Sequence, residues 1–220
     1  MFDSEKLSSW KNRRGGVVVL YPGGFKPLTG GHLSLIRRYA ELPNVKEVRL
    51  LVGPKSRNGI DQDTAVAIAR LFLKNDPKIT VEPSKYPSPV LTAYKAVEEA
   101  SPGEYTLASS SKGDDWERTK SFIKEHQPGG KYSSKLPDGV EVVSLPADPE
   151  PAIYSGRSDE YDGLPISASI LRKDIMGGNK SDFEKNYPNE DSAKIDAVLD
   201  ILHGNLSEVN VSGYSRSFTY

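Results

Sequence analysis

The stretch VVVLYPGGFKPLTGGH, Val17 to His32, places a histidine behind two glycines at what reads as the start of a helix, with Lys26 and Thr29 in the loop before it. A buried strand, a Gly/Pro-rich turn and a helix start form a phosphate site in outline. The glycines let backbone approach an anion, and the helix directs its unbonded N–H groups and positive dipole end at the same spot. The loop is neither a Walker A nor a dinucleotide G-x-G-x-x-G, because no Lys-Ser/Thr follows the glycines and their spacing differs. A second group of this kind stands far downstream in Ile166-Ser167-Ala168-Ser169-Ile170-Leu171-Arg172, where two hydroxyls bracket a helix start and an arginine falls one turn on. Arginine can clamp phosphate through a bidentate fork that lysine cannot reproduce.

These two stretches resemble the signatures of the HxGH nucleotidylyltransferases. Gly23 to His32 fits G-x-F-x-P-x-[HT]-x-G-H position by position, with Thr29 where many members carry the first histidine. Ile166 to Arg172 is similar to the second motif, ISxTxxR, with Ser169 in place of threonine. The two occur in the right order, separated by what reads as the rest of an α/β domain. The F-K-P form of the first motif and the stretch Ile175 to Glu184 resemble small adenylyl- or cytidylyltransferase-like proteins encoded by bacteriophages.

The resemblance implies transfer of AMP or CMP from a nucleoside triphosphate, ATP or CTP, to a small phosphorylated acceptor, with adenylyl transfer favoured. Nicotinamide mononucleotide, phosphopantetheine and a sugar or polyol phosphate are all open as acceptors. The attacking phosphate oxygen is already ionised at neutral pH, so the site must supply in-line placement and charge neutralisation and needs no general base. By resemblance His32 and Thr29 attend the α-phosphate and bridging oxygen, while Ser167, Ser169 and Arg172 hold the β- and γ-phosphates. Gly23, Gly24, Phe25 and Gly31 form the nucleotide loop. Lys26, and Lys55 with Arg57 after the second strand, are candidate cations for the acceptor phosphate or triphosphate tail. Ser109 to Trp116 resembles the region near base and ribose, where Asp114 either accepts from ribose hydroxyls or simply caps a helix. Magnesium is implied mainly by the triphosphate, and no metal ligand is named.

The elements that must position these residues alternate between strand-like and helix-like patterns. They predict a Rossmann-like α/β domain over 15–203, with a mostly parallel five-stranded sheet, helices on both faces and a C-terminal helical cap over 167–203. Strands are expected at Val17–Tyr21, Val45–Val52, Ile79–Glu82, Tyr105–Ser109 and Val140–Ser144. Helices are expected at Gly31–Leu42, Asp63–Lys74, Pro89–Ala100 and Asp115–His126, with Asp63 as an N-cap of the second. Three further helices, Ser167–Met176, Ser181–Tyr187 and Ser192–Leu202, cover the sheet edge. The polar segment 1–14 precedes the domain, and 204–220 is read as an extended or disordered tail. His126 and His203, at helix ends, are read as compensating helix dipoles.

Composition narrows the field. Twenty-nine Lys and Arg nearly balance 30 Asp and Glu in 220 residues, which argues against a generic nucleic-acid binder. The chain has no cysteine, which excludes thiolate metal sites, disulfides and a cysteine nucleophile. No stretch approaches the roughly 18 apolar residues of a membrane span, so a cytoplasmic protein is expected, in the host cell if phage-encoded. An oligomer is the family expectation. The competing reading is a nucleotide-binding or virion-associated structural protein that keeps the fold without turnover. A class I aminoacyl-tRNA synthetase relative would share the histidine, but the chain shows neither room for a tRNA-binding domain nor a KMSKS-like loop.

Overall fold

The structure, a computed structural model, describes residues 16–110, 114–146, 160–161, 164–165, 171, 175, 180–187 and 190–214. Segment 1–14 and the second motif's Ser167, Ser169 and Arg172 lie outside the described residues.

Five parallel strands form the main sheet in the order β3-β2-β1-β4-β5, with β1 at Val17–Gly23, β2 at Val45–Val52, β3 at Ile79–Pro83, β4 at Gly103–Leu107 and β5 at Val140–Val142. Helices α1 (Gly30–Glu41), α2 (Gln62–Leu73), α3 (Pro89–Glu98) and α4 (Asp115–His126) connect them. This is the doubly wound, Rossmann-like α/β arrangement expected. The order reverses between β1 and β4, and ligands of such sheets bind in the crevice beyond that switch point. Glu160–Tyr161 and Leu164–Pro165 form a separate antiparallel pair, β6 and β7.

Strand β1 is buried on both sides, which explains its unbroken apolar run. Val17, Val19 and Tyr21 join α1, α2 and the C-terminal helices in one core. Val18 and Leu20 join α3 and α4 in the other. Each edge strand has an outward carbonyl occupied by a side chain: Arg70 donates to Val81 at 3.1 Å, and Gln127 donates to Val142 at 2.8 Å. Blunted edges of this kind resist pairing with another chain.

The C-terminal helices α5 (Lys180–Lys185) and α6 (Ser192–Tyr214) lie against α1 and α2 and extend the first core through Phe183, Ile195, Val198 and Leu202, joined by Tyr187 from the link between them. Buried Glu190 ties them down by pairing with Arg37 of α1 and, at 3.6 Å, with Lys194. Among the described residues no helix is long and apolar enough to cross a membrane.

Several expectations need correction. Asp61, not Asp63, caps α2, its carboxylate accepting from the Thr64 amide at 2.8 Å. Strand β4 ends at Leu107, because the Ser109 amide turns away to a side chain of α1. The residues from Gly204 to Tyr214 are helical rather than extended, as α6 runs on to Tyr214. A lone glycine inside a helix costs about 1 kcal/mol and does not end it. His126 is a core residue: only 3% exposed, it packs among Tyr94, Phe122 and Tyr132, with Nδ1 donating to the Phe122 carbonyl at 2.7 Å. That bond does serve a last-turn carbonyl, but from a ring packed in the core rather than from the surface.

Candidate active site

The first motif is built at the carboxyl end of β1. The Gly53 amide donates to the Gly23 carbonyl at 2.8 Å, so the ends of β1 and β2 stay joined as their loops begin. Gly23 is required by its neighbour, since a Cβ there would lie 2.5 Å from the Phe25 ring. Phe25 takes a left-handed backbone, φ 49, and turns that ring back under the loop. The ring meets Tyr21 edge-on at 5.1 Å and His32 at right angles at 5.2 Å. Phe25 therefore packs as the floor of the loop. Gly24 is exposed and a Cβ there would meet nothing, so its backbone is open to an incoming group. Gly30, in contrast, is pressed onto the Asn186 carbonyl, which would be 2.0 Å from an added Cβ. With the Tyr187 hydroxyl donating to the Leu28 carbonyl at 2.6 Å, the C-terminal helices buttress the loop from behind.

Thr29 and His32 form a reciprocal helix cap. The Thr29 hydroxyl accepts from the His32 amide at 3.2 Å, and the Thr29 amide donates to His32 Nδ1 at 3.1 Å. Histidine thus takes the place that Glu or Gln fills in the usual capping box. An amide can only donate, so Nδ1 is the acceptor and the ring hydrogen resides on Nε2. Burial of the imidazole pushes its pKa down to about 4, against a smaller opposing pull from Asp115. His32 is therefore a neutral Nε2–H donor at pH 7, set on the first turn of α1 beside Gly31, whose amide belongs to the same unbonded helix end.

Lys26 is almost fully buried, and its ammonium donates to the Gly53 carbonyl, bridging the β1 and β2 loops. Its pKa is lowered, first by burial and then by Arg57, while Asp61 works the other way. Lys55 and Arg57 are exposed. Arg57 opens a two-residue turn, exchanging backbone hydrogen bonds with Ile60 across Asn58 (φ 50) and Gly59 (φ 79). Asn-Gly is the sequence signature of such a turn and could have been read in advance.

Beyond β4, Asp114 holds the N-cap position of α4 but its side chain makes no cap hydrogen bond, and it is exposed. Asp115 is the acid that faces His32 electrostatically; it also accepts from the Ser110 hydroxyl at 3.3 Å and pairs with Arg118 at 3.0 Å. The structure thus brings His32, Thr29, Phe25, Lys26 and the glycines together at the switch point, with the Asp115 end of α4 opposite. Lys55 and Arg57 stand on the flanking turn. Among the described residues, no group of three or more His, Asp or Glu could hold a metal ion.

Two supporting residues carried no sequence signal. Gln62 donates to the carbonyls of Val52 and Ser84, at 2.8 and 3.1 Å, clamping the ends of β2 and β3. The Tyr39 hydroxyl lies between Ser109 and Pro146, at the ends of β4 and β5. In the sequence Tyr39 reads as an ordinary helix residue and Gln62 as a residue just ahead of a helix, since their partners are backbone groups brought close only by folding.

No protein-family model matches the chain. The phosphopantetheine adenylyltransferase of Alkalilimnicola ehrlichii is 37% identical over 68 residues, 30% of this chain and 39% of that protein. That of Pasteurella multocida is 38% identical over 66 residues, 30% of this chain and 41% of its own length. The chain thus spans about two fifths of the length of these curated relatives. Among solved structures, the nicotinic acid mononucleotide adenylyltransferase of Plasmodium falciparum complexed with NaAD aligns over 84% of this chain and 96% of its own, at 13% identity and a TM-score of 0.45.

Proposed function

We propose that this protein is a nucleotidylyltransferase that moves a nucleoside monophosphate, AMP in preference to CMP, onto a small phosphorylated acceptor. A phosphate oxygen of the acceptor attacks the α-phosphorus of the triphosphate in line. The bond from that phosphorus to the bridging oxygen breaks, and pyrophosphate leaves with the electron pair. No proton need be removed from the nucleophile. The observation that carries the reading is the Thr29–His32 cap, which presents a neutral Nε2–H donor at a helix N-terminus beyond the switch point.

In this reading Gly24 and Gly31 offer backbone to the α-phosphate, and Nε2 of His32 donates to the oxygens on which charge builds. Thr29 acts through His32, because its hydroxyl and amide are already engaged with that residue. Lys26 holds the two phosphate loops together from beneath, and Lys55 and Arg57 meet the acceptor phosphate at the rim. Ser167, Ser169 and Arg172 grip the β- and γ-phosphates. Magnesium enters with the triphosphate. The names of the sequence relatives support ATP over CTP and leave the acceptor to experiment.

The test is pyrophosphate release with magnesium and either ATP or CTP against a panel of phosphorylated acceptors, beside His32→Ala and Arg172→Ala. Acceptor-dependent release with one triphosphate, lost in both variants, is the expected result. Triphosphate binding that depends on His32 but yields no release with any acceptor would favour a binding protein without turnover.

A further inference from the structure

We propose that Tyr39 is a positioning residue for the nucleotide half of the site, holding the exit of β4 at Ser109 and Ser110 in register with His32. The inference rests on the nucleotidylyltransferase reading. Tyr39 is fully buried on α1, two turns beyond His32 on the same helix. Its phenol oxygen accepts from the Ser109 amide at 3.0 Å and lies 3.0 Å from the Pro146 carbonyl and 3.2 Å from the Ser109 carbonyl, either of which can take its single hydrogen.

These partners occupy informative places. Ser109 stands two residues past β4, where the chain leaves the sheet towards Ser110, whose hydroxyl donates to Asp115, the acid whose charge reaches His32. Pro146 stands just past β5. One hydroxyl therefore joins the exits of two neighbouring strands on the far side of the switch point. Helix α1 carries both this joint and the phosphate donor. Its rigidity couples the placement of His32 to that of Ser109 and Ser110 at the exit of β4, beside which the nucleoside would sit if the phosphates rest on α1.

The pairing also explains why the loop departs from the sheet where it does. Ser109 is 1% exposed, and a buried amide must find an acceptor. The phenol supplies one from across the core. Tyr39→Phe keeps the ring and removes that acceptor, so the Ser109 amide must either remain unsatisfied or shift the loop towards water.

The experiment compares wild type, Tyr39→Phe and Ile68→Val, the last a core truncation on α2 that lowers stability without touching the loop. Binding of ATP by calorimetry and steady-state KM and kcat for each substrate are measured well below the unfolding temperature. Amide exchange at Ser109 and Ser110 is followed in the protein without nucleotide. In Tyr39→Phe, we expect ATP Kd and KM to rise about 10-fold, with kcat and the acceptor KM nearly unchanged and Ser109 exchange accelerated. Ile68→Val should change none of these. Unaltered ATP Kd and KM in Tyr39→Phe would overturn the assignment while leaving the enzyme reading intact. Wild type that binds no nucleotide would overturn both, and accelerated exchange at Ser109 would then mark the hydroxyl as purely structural.

Discussion

His32 Nδ1 lies 3.1 Å from the Thr29 amide that donates to it, while the His32 amide donates back to the Thr29 hydroxyl at 3.2 Å. One pair of residues thus starts helix α1, fixes the imidazole tautomer and aims Nε2–H away from the helix. Local helix chemistry and site chemistry are here the same set of bonds.

Removing the Thr29 hydroxyl should injure both. Thr29→Val should cost about 1 kcal/mol of stability as a lost N-cap, read by urea unfolding. It should also lower kcat/KM by about 10-fold as the imidazole loses a fixed orientation. Thr29→Ser retains the accepting oxygen and should stay near wild type in both measurements.

Proton uptake by His32 should be visible in solution. A two-dimensional NMR titration should place its pKa near 4, with Nε2 protonated in the neutral ring. The folded value is depressed, so between pH 6.5 and about 4 the unfolded chain binds a proton that the folded protein refuses. Stability from this group is whole above pH 6.5 and falls as pH drops through that window, by at most about 1.4 kcal/mol per pH unit. His32→Gln should flatten that portion of the stability profile. A histidine pKa of 6.5 or above would contradict the desolvated ring described here. Triphosphate binding should raise the value, since the anion supplies a charge partner.

The glycines of the loop should respond differently to alanine. Gly23→Ala drives a methyl into the Phe25 ring and Gly30→Ala drives one onto the Asn186 carbonyl, so both should lose about 1–3 kcal/mol in thermal unfolding. Gly24→Ala meets open space and should unfold like wild type. Any loss of triphosphate affinity in that variant, measured by calorimetry, then reports ligand approach alone.

The Arg37–Glu190 pair should anchor the C-terminal helices. Glu190 has 2% of its side chain exposed, against 13% for Arg37. Arg37→Met leaves the carboxylate with Lys194, 3.6 Å away, and should cost about 3 kcal/mol. Adding Glu190→Gln should recover part of that loss, as a double-mutant cycle in urea would show.

Much of this was legible from residues alone. The apolar run of β1 announced a strand buried on both faces, and Asp115–His126 was bounded correctly by an acidic start and a histidine end. The Gly-rich loop ahead of His32 announced a helix start with a histidine in its first turn. Asp61 was missed in favour of Asp63 because either acid could precede the same apolar face, and only backbone direction decides which carboxylate reaches Thr64.

By its own pattern the sequence determined the order of strands and helices, the turn that Gly23, Gly30 and Gly31 permit, and the presence of a histidine and hydroxyl at a helix start, because these depend on local backbone preference and periodicity. Tertiary structure alone decided that the acid opposite His32 is Asp115, that Lys26 is buried as a tie between loops, and that Tyr39 reaches Ser109 and Pro146. Those pairings join residues far apart in the chain. Their strength comes from burial and from unmet backbone groups, which exist only once the sheet has assembled.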